Sequence, residues 1–474
     1  MTTRELAGDT DTRSDDRGLP RRHAVFAICA MAMFMASIDQ TIVSTALSSI
    51  QNDLHSGLQW GAWTITIYSL GQVLVMPIAG KLSDHFGRKR IFIIAIILFT
   101  ASSLLCGLSV NIYMLVALRG LQAIGGGAFM PSANGLIADH FGRSRDRALG
   151  MIAATFPTGA LIGPILGGVI VTYWSWRFVF LVNVPIGIIL LVLGVVIFPR
   201  SAPRVADSAN RLDLHGVLLL GAFILSGMIG ITSLGGSDAT VLSPAFYLPV
   251  AASVVALVLF VRHAKLAPNP FIALDLLVGK TFGAINGLNF LFGAGAFGFG
   301  ALVPIYAHER YGIPILEAGT LLTARAVGMI LVTSATVFAL RRIGYRIPMF
   351  AGFSIVVVGM VLLAVVPPTG VTPYLWLSIG GCVTGLGMGM TIPAANNAAL
   401  MLSPSRISSI AGLRGMFRQS GGIVAVSIAT TVAARTGDEG ETLGTVFLVF
   451  AVILFLAIPA IFAVPRVKYR AMTL

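Results

Sequence analysis

Long uncharged runs punctuated by short polar turns set the rhythm of this chain. Reading for apolar stretches of roughly 20 residues, the length needed to cross a bilayer as a helix, predicts fourteen spans. They cover residues 24–49, 60–80, 90–108, 112–136, 147–171, 178–198, 214–233, 244–261, 281–305, 316–340, 347–366, 374–400, 408–434 and 444–464. The first run is too long for a signal-peptide core and no small-residue cleavage pattern follows it, so it is expected to stay in the mature protein. One stretch stands out, Gly159-Ala-Leu-Ile-Gly163-Pro164-Ile-Leu-Gly167-Gly168. Glycines spaced by four open a flat groove on a helix face for close approach of a neighbour. Pro164 removes a backbone donor beside that groove. Together they predict a packing seam at a moving interface.

Composition agrees with a bilayer. Hydrophobic residues make up 56% of 474 positions and charged residues only 11%, far too few to cover a soluble core of this size. The net charge of +13 would suit nucleic acid, but its distribution points elsewhere. With the N-terminus on the cytoplasmic side, 25 of the 32 Lys and Arg fall in cytoplasmic turns and tails, as the positive-inside rule requires. An even number of spans with both ends in the cytoplasm is expected, in the cell membrane, and no nucleic-acid partner. Cys29, Cys106 and Cys382 sit inside apolar spans and imply neither disulfide nor metal site. The seven histidines lack metal-ligand spacing and no phosphate-binding loop is present, so neither enzyme chemistry nor nucleotide hydrolysis is expected.

A repeat follows the second and fourth spans. Asp84-His-Phe-Gly87-Arg88 returns as Asp139-His-Phe-Gly142-Arg143, 55 residues on. The charge alone follows from topology; the shared order implies tandem three-helix units. Gly80-x-Leu82-x-Asp84-x-x-Gly87-Arg88-Lys89 resembles the loop signature of the major facilitator superfamily. Arg119-x-x-Gln122-x-x-Gly125 resembles its fourth-helix signature, with Ala123 where glycine is usual, and the Gly159–Gly168 stretch resembles its antiporter signature. Asp39-Gln40-Thr41-Ile42-Val43, Trp174-x-Trp176-Arg177 and Asn183-x-Pro185-x-Gly187 are similar to the fourteen-helix drug:proton antiporter branch. The likeness covers residues 23–465.

The resemblance implies an all-α integral membrane fold of two pseudo-two-fold-related six-helix bundles, 23–198 and 281–465. A linker, 199–280, carries two extra helices between them. A disordered leader, 1–22, and a tail, 466–474, complete the chain. Spans 1, 4, 9 and 12 would line a central cavity, and spans 2, 5, 10 and 13 would form the seam between bundles, with the Gly159–Gly168 stretch on it. The implied function is proton-coupled export of small amphipathic compounds by a monomer among lipids, with no cofactor. A narrow-specificity exporter, or in another class a lipid flippase or membrane enzyme, is the alternative.

Of 19 acidic residues only Asp39 lies deep within a span. A carboxylate there is costly and marks function, and loss of water favours an acid's neutral form, so Asp39 is a candidate proton carrier. The other reading is a permanent ion pair. Arg119 lies at a similar depth, roughly 5 Å away along the membrane normal at ~1.5 Å rise per residue, and the two can meet. Substrate and proton would then compete through that contact. Gly80, Asp84, Gly87 and Arg88 are the expected gating loop, with Asp84 favouring a helix N-terminus across the seam and Arg88 pairing with a nearby acid. The corresponding second-half loop, Leu340–Arg346, lacks the aspartate and is expected to serve packing. Gln40, Tyr68, Gln72, Gln122, Asn286, Asn289, Phe290, Arg325, Asn396 and Asn397 are cavity candidates, since polar groups at membrane depth must face protein or water. Each amide can equally be a helix–helix hydrogen bond. Phe290, Phe292, Phe297 and Phe299 suit either a flat ligand or lipid. Arg325 bonds backbone, reaches Asp39 or receives an anionic substrate.

Overall fold

The computed structural model describes residues 19–56, 58–198, 213–233, 240–268, 270–401, 407–433, 436 and 438–464. Most of the leader, the 199–212 part of the linker and the tail lie outside the described residues, as do the side chains of Phe297 and Phe299. The first half contains α1 (Leu19–Asp53), α2 (Leu58–Phe86), α3 (Arg88–Gly107), α4 (Ile112–His140), α5 (Arg145–Tyr173), a short α6 (Phe178–Leu181) and α7 (Asn183–Ile197). Next come α8 (Leu214–Ser233) and α9 (Pro244–Leu266), then a single-turn α10 (Leu274–Val278). The second half contains α11 (Lys280–Tyr311), α12 (Ile315–Ile343), α13 (Arg346–Ala364), α14 (Pro373–Met401), α15 (Ile407–Ala433) and α16 (Glu439–Ala457). Each of the fourteen expected spans falls on a helix, the sixth being divided at Val182 between α6 and α7. Among the described residues, ten helical stretches are long and apolar enough to cross a membrane.

Local chemistry sets several boundaries. The Asn111 side chain accepts from the Met114 backbone N–H at 2.8 Å to start α4, and Asp438 does the same for Glu441 at the start of α16, satisfying donors a helix terminus leaves open. Gly87 between α2 and α3 and Gly344 between α12 and α13 both take positive φ, 98° and 74°. Only glycine adopts such φ at little cost, and the two turns occupy the same place in the two halves.

The packing repeats with them. In the first bundle α1 lies on α5, α2 and α3 on α4, and α3 on α7; in the second α11 lies on α15, α12 and α13 on α14, and α13 on α16. Between bundles α2 packs on α15 and α12 on α5, with α4 against α15 and α5 against α14. That interface is pseudo-symmetric too. The extra pair α8 and α9 pack together, and α8 runs beside both α2 and α15. Large apolar side chains such as Val196, Leu331 and Leu456 point outward, as a surface solvated by lipid allows.

The glycine stretch is placed differently from the expectation. A Cβ on Gly159 would sit 2.9 Å from the Phe34 carbonyl, one on Gly163 3.1 Å from that of Ile38, and one on Gly167 2.9 Å from that of Ile42. All three acceptors belong to α1, so this face packs inside the first bundle. Gly168 meets nothing within 4 Å, and α5 continues through Pro164 as helix. The seam with the second bundle is made instead by the start of α5, where a Cβ on Gly150 would abut Val337 of α12. Periodicity marks a helix that approaches another closely; it does not say which.

Candidate functional site

Asp39 and Arg119 meet. Arg119 Nη1 donates to Asp39 Oδ2 at 2.6 Å, with both side chains wholly enclosed. The second carboxylate oxygen accepts from Gln122 Nε2 at 2.9 Å and from Asn183 Nδ2 at 2.8 Å. Arg119 also donates through Nε to the Thr64 carbonyl at 3.1 Å and through Nη1 to Gln122 Oε1 at 2.6 Å. Gln122 Nε2 reaches Ser103 Oγ at 2.7 Å. The Tyr68 ring lies under the guanidinium, 4.0 Å from its centroid. Five of these residues lie on four helices: Asp39 on α1, Tyr68 on α2, Arg119 with Gln122 on α4, and Asn183 at the first residue of α7. A charged pair at this depth is tolerable only with such a network of bonds to both partners, although Arg119 Nη2 is buried without a hydrogen-bond partner.

The side of the molecule carrying the α2–α3 and α4–α5 turns is laced shut. Asp84 Oδ2 accepts from both the backbone N–H and the hydroxyl of Ser409, at 2.9 and 2.8 Å, at the first turn of α15. A carboxylate there complements the positive end of the helix dipole. A Cβ on Gly80 would lie 2.5 Å from the Ser408 carbonyl, so glycine allows α2 and α15 to close to backbone distance. Arg88 bridges Asp139 at 2.5 Å, Asp84 at 3.4 Å and the Gly135 carbonyl at 2.7 Å, tying the two copies of the repeated motif together.

The second-half loop also crosses the seam, contrary to the packing role expected of it. Tyr345 Oη donates to Asp146 Oδ2 at 3.2 Å, and Asn397 Nδ2 donates to the Asp146 carbonyl at 3.0 Å. Asp146, in the first turn of α5, supplies the acid that the 340–346 loop lacks. Sequence reasoning overlooked it because an acid at a helix start has an ordinary capping explanation.

Above this closure lie three adjoining cavities, all lined by Arg418. The first adds Met33, Met130, Asn134, Asn289, Asn396 and Arg414; the second Phe292, Met349, Phe353 and Thr391; the third Ala36, Gln72, Met76, Gly126 and Gln419. Residues from α1, α4, α11 and α14 contribute, as expected, but α15 supplies both arginines. Gln72, Asn289 and Asn396 therefore line the space. Several other cavity candidates do not. Asn286 donates to the Leu276 and Leu277 carbonyls at 2.8 and 3.2 Å, anchoring α10, and Asn397 belongs to the closure. Tyr68 and Gln122 belong to the ion-pair cluster. Gln40, Phe290 and Arg325 are absent from the lining, and the backbone of Phe290 and of Arg325 packs on Gly421 and Gly385.

Asp39 is absent from the lining as well, so direct competition for its carboxylate is not available in this state. A Cβ on Gly126 would lie 2.6 Å from Tyr68 Oη and 3.2 Å from Gln72 Nε2. Tyr68 and Gln72 thus form a thin polar partition between the ion pair and the third cavity. Arg414 and Arg418 were legible in principle: two arginines four apart on one helix face, without an acid in reach along the helix, need a reason to be there.

The family model described as Major Facilitator Superfamily matches residues 29–261 and 285–471. Multidrug transporter protein MdtP of Bacillus subtilis (strain 168) is 31% identical over 86% of this chain and 75% of its own. The methylenomycin A resistance protein of the same strain is 30% identical over 90% of both chains. Among solved structures, the human organic anion transporter MFSD10 (TETRAN) superposes with a TM-score of 0.67 at 13% identity, over 93% of this chain and 99% of the other.

Proposed function

Since this chain belongs to the Major Facilitator Superfamily, and is thus a transporter and not an enzyme, we propose that it is a proton-coupled antiporter exporting small amphipathic compounds by alternating access. The observation carrying this reading is the ion pair of Asp39 and Arg119, wholly enclosed and bonded across α1, α2, α4 and α7. Protonating Asp39 would neutralise one partner and weaken the Arg119 contact, while Gln122 and Asn183 can still bond a neutral acid. The helices meeting there would then repack and release the closed side. The name of the relative MdtP supports a broad drug-like cargo. That of the methylenomycin A resistance protein supports a narrow exporter of one compound instead. Under this reading the protein lies in the cell membrane as a monomer, both termini in the cytoplasm, binding substrate, protons and lipid without a cofactor. The proton gradient would supply about 2.3 kcal/mol per charge per 100 mV and about 1.4 kcal/mol per pH unit.

Inverted vesicles with a preset pH gradient provide the test. Asp39→Asn should insert normally, because Arg119 keeps the Thr64 carbonyl and Gln122 Oε1, yet it should no longer move protons when a dye substrate is added. Undiminished dye-dependent proton flux in that variant would overturn the proposal. Comparing a panel of unrelated dyes separates the broad from the narrow exporter.

A further inference from the structure

Resting on the reading of this chain as an exporter, we propose that the cavity at Arg414 and Arg418 is a binding site for an amphipathic organic anion: a carboxylate, sulfonate or phosphate on an apolar body. Both arginines lie on α15, four residues apart and so on one face, and both line the first and second cavities. None of the described lining residues of the three cavities is acidic. Arg414 is 5% exposed. Its Nη2 donates to Asn289 Oδ1 at 3.2 Å, and its Nε is buried without a hydrogen-bond partner. It enters no ion pair among the described residues. Arg418 reaches Met130 Sδ at 3.7 Å.

A guanidinium inside a membrane protein ordinarily pairs with an acid or faces the ligand path. Here the amide oxygen of Asn289 leaves the full charge of Arg414 unmatched and one donor open. An anionic group would satisfy both, since guanidinium donors match the planar spread of oxygens on a carboxylate or phosphate. Met33, Met76, Met130 and Met349 supply polarizable, adaptable walls, suited to an apolar body of no single shape. A cation of the same shape would meet two positive charges and no acid among the described lining residues.

Two xanthene dyes sharing one flat scaffold make the comparison: fluorescein, anionic, and rhodamine 6G, cationic. Binding to the purified full-length protein in lipid nanodiscs is read by fluorescence anisotropy. Fluorescein should bind at least about tenfold more tightly than rhodamine 6G. Arg414→Gln and Arg418→Gln should each weaken fluorescein about ten- to hundredfold, the scale of a lost charged hydrogen bond, without weakening rhodamine 6G. Arg414→Lys and Arg418→Lys should keep the anion preference, which shows that a loss in the glutamine variants reflects charge and not misfolding. The assignment is overturned if rhodamine 6G binds as well as fluorescein, if fluorescein does not bind the folded protein, or if the glutamine variants stay within twofold of the parent. The exporter reading fails separately. Rhodamine 6G exported with proton flux would sink the anion site and spare antiport, whereas arginine-dependent fluorescein binding with no proton flux would do the reverse.

Discussion

At the scale of single residues, burial and bonding sort charges that look alike in the sequence. Asp39 is enclosed by Arg119, Gln122 and Asn183. Asp213, outside the spans, is instead a clasp for the extra helix pair. It accepts from the backbone N–H groups of Gly216 and Phe271, both at 2.9 Å, and contacts His263 Nε2 at 2.7 Å. Burial alone would raise its pKa, but the two N–H groups and His263 outweigh this and hold it below the ordinary carboxylate range. A depressed folded-state pKa contributes stability that is present above the unfolded value and lost as pH falls through the folded one. Thermal unfolding of the parent should therefore lose stability on acidification below about pH 4, and Asp213→Asn should flatten that slope by lowering stability at neutral pH, where the ionised carboxylate contributes, with parent and variant converging in acid. An unchanged acid slope in the variant would show that the clasp adds nothing. The meeting of Asp39 and Arg119 was legible because depth along two helices is simple arithmetic. The Thr64 carbonyl that completes the shell was not, since any residue can offer a carbonyl.

At the scale of elements, the contact of α5 with α1 brackets Asp39. Gly159 rests on the Phe34 and Ser37 region, Gly163 on Ile38 and Thr41, and Gly167 on Ile42 and Thr45. Any side chain at Gly163 must displace Thr41 Oγ1, whose β-branched stem turns poorly in a helix. Gly163→Ala is expected to cost about 1–3 kcal/mol by overpacking and to lower transport, and adding Thr41→Ala should restore part of both; a double variant no better than the single one would place the cost elsewhere. The glycine spacing revealed a close approach but named the wrong partner, because the second-half helices and α1 are equally apolar in sequence. The amides were ambiguous for a related reason. Asn286 and Asn397 end on backbone carbonyls while Asn289 and Asn396 reach the cavity, and their membership of a span is the same.

At the scale of the whole molecule, the two bundles are held on one side by two unlike links at corresponding places. Asp84 grips Ser409, and Asp146 receives Tyr345 and Asn397. The first is part-buried and the second buried, both lie close to the pseudo-two-fold relation, and neither requires the other. Asp84→Asn with Tyr345→Phe should therefore loosen this side more than either alone. Cysteine accessibility in α15 near Ser408 should rise stepwise from parent to single to double variant, with ligand binding retained. Equal accessibility in all four proteins would mean that packing of α2 on α15 and α5 on α12 holds the closure unaided. The fold at this scale was readable from span count and the repeated loop motif. The asymmetry of the links was not, because the missing aspartate of the second loop is replaced from a helix 199 positions earlier.

Tyr68 and Gln72 stand between Asp39 and the third cavity, which Arg418 lines, with a kinetic consequence. Two ligands held by separate groups in this state cannot displace one another there by occupancy, however concentrated either becomes. External acidity should alter the maximal turnover and leave the half-saturating cargo concentration nearly fixed, and excess cargo should fail to rescue a rate lost to the wrong pH.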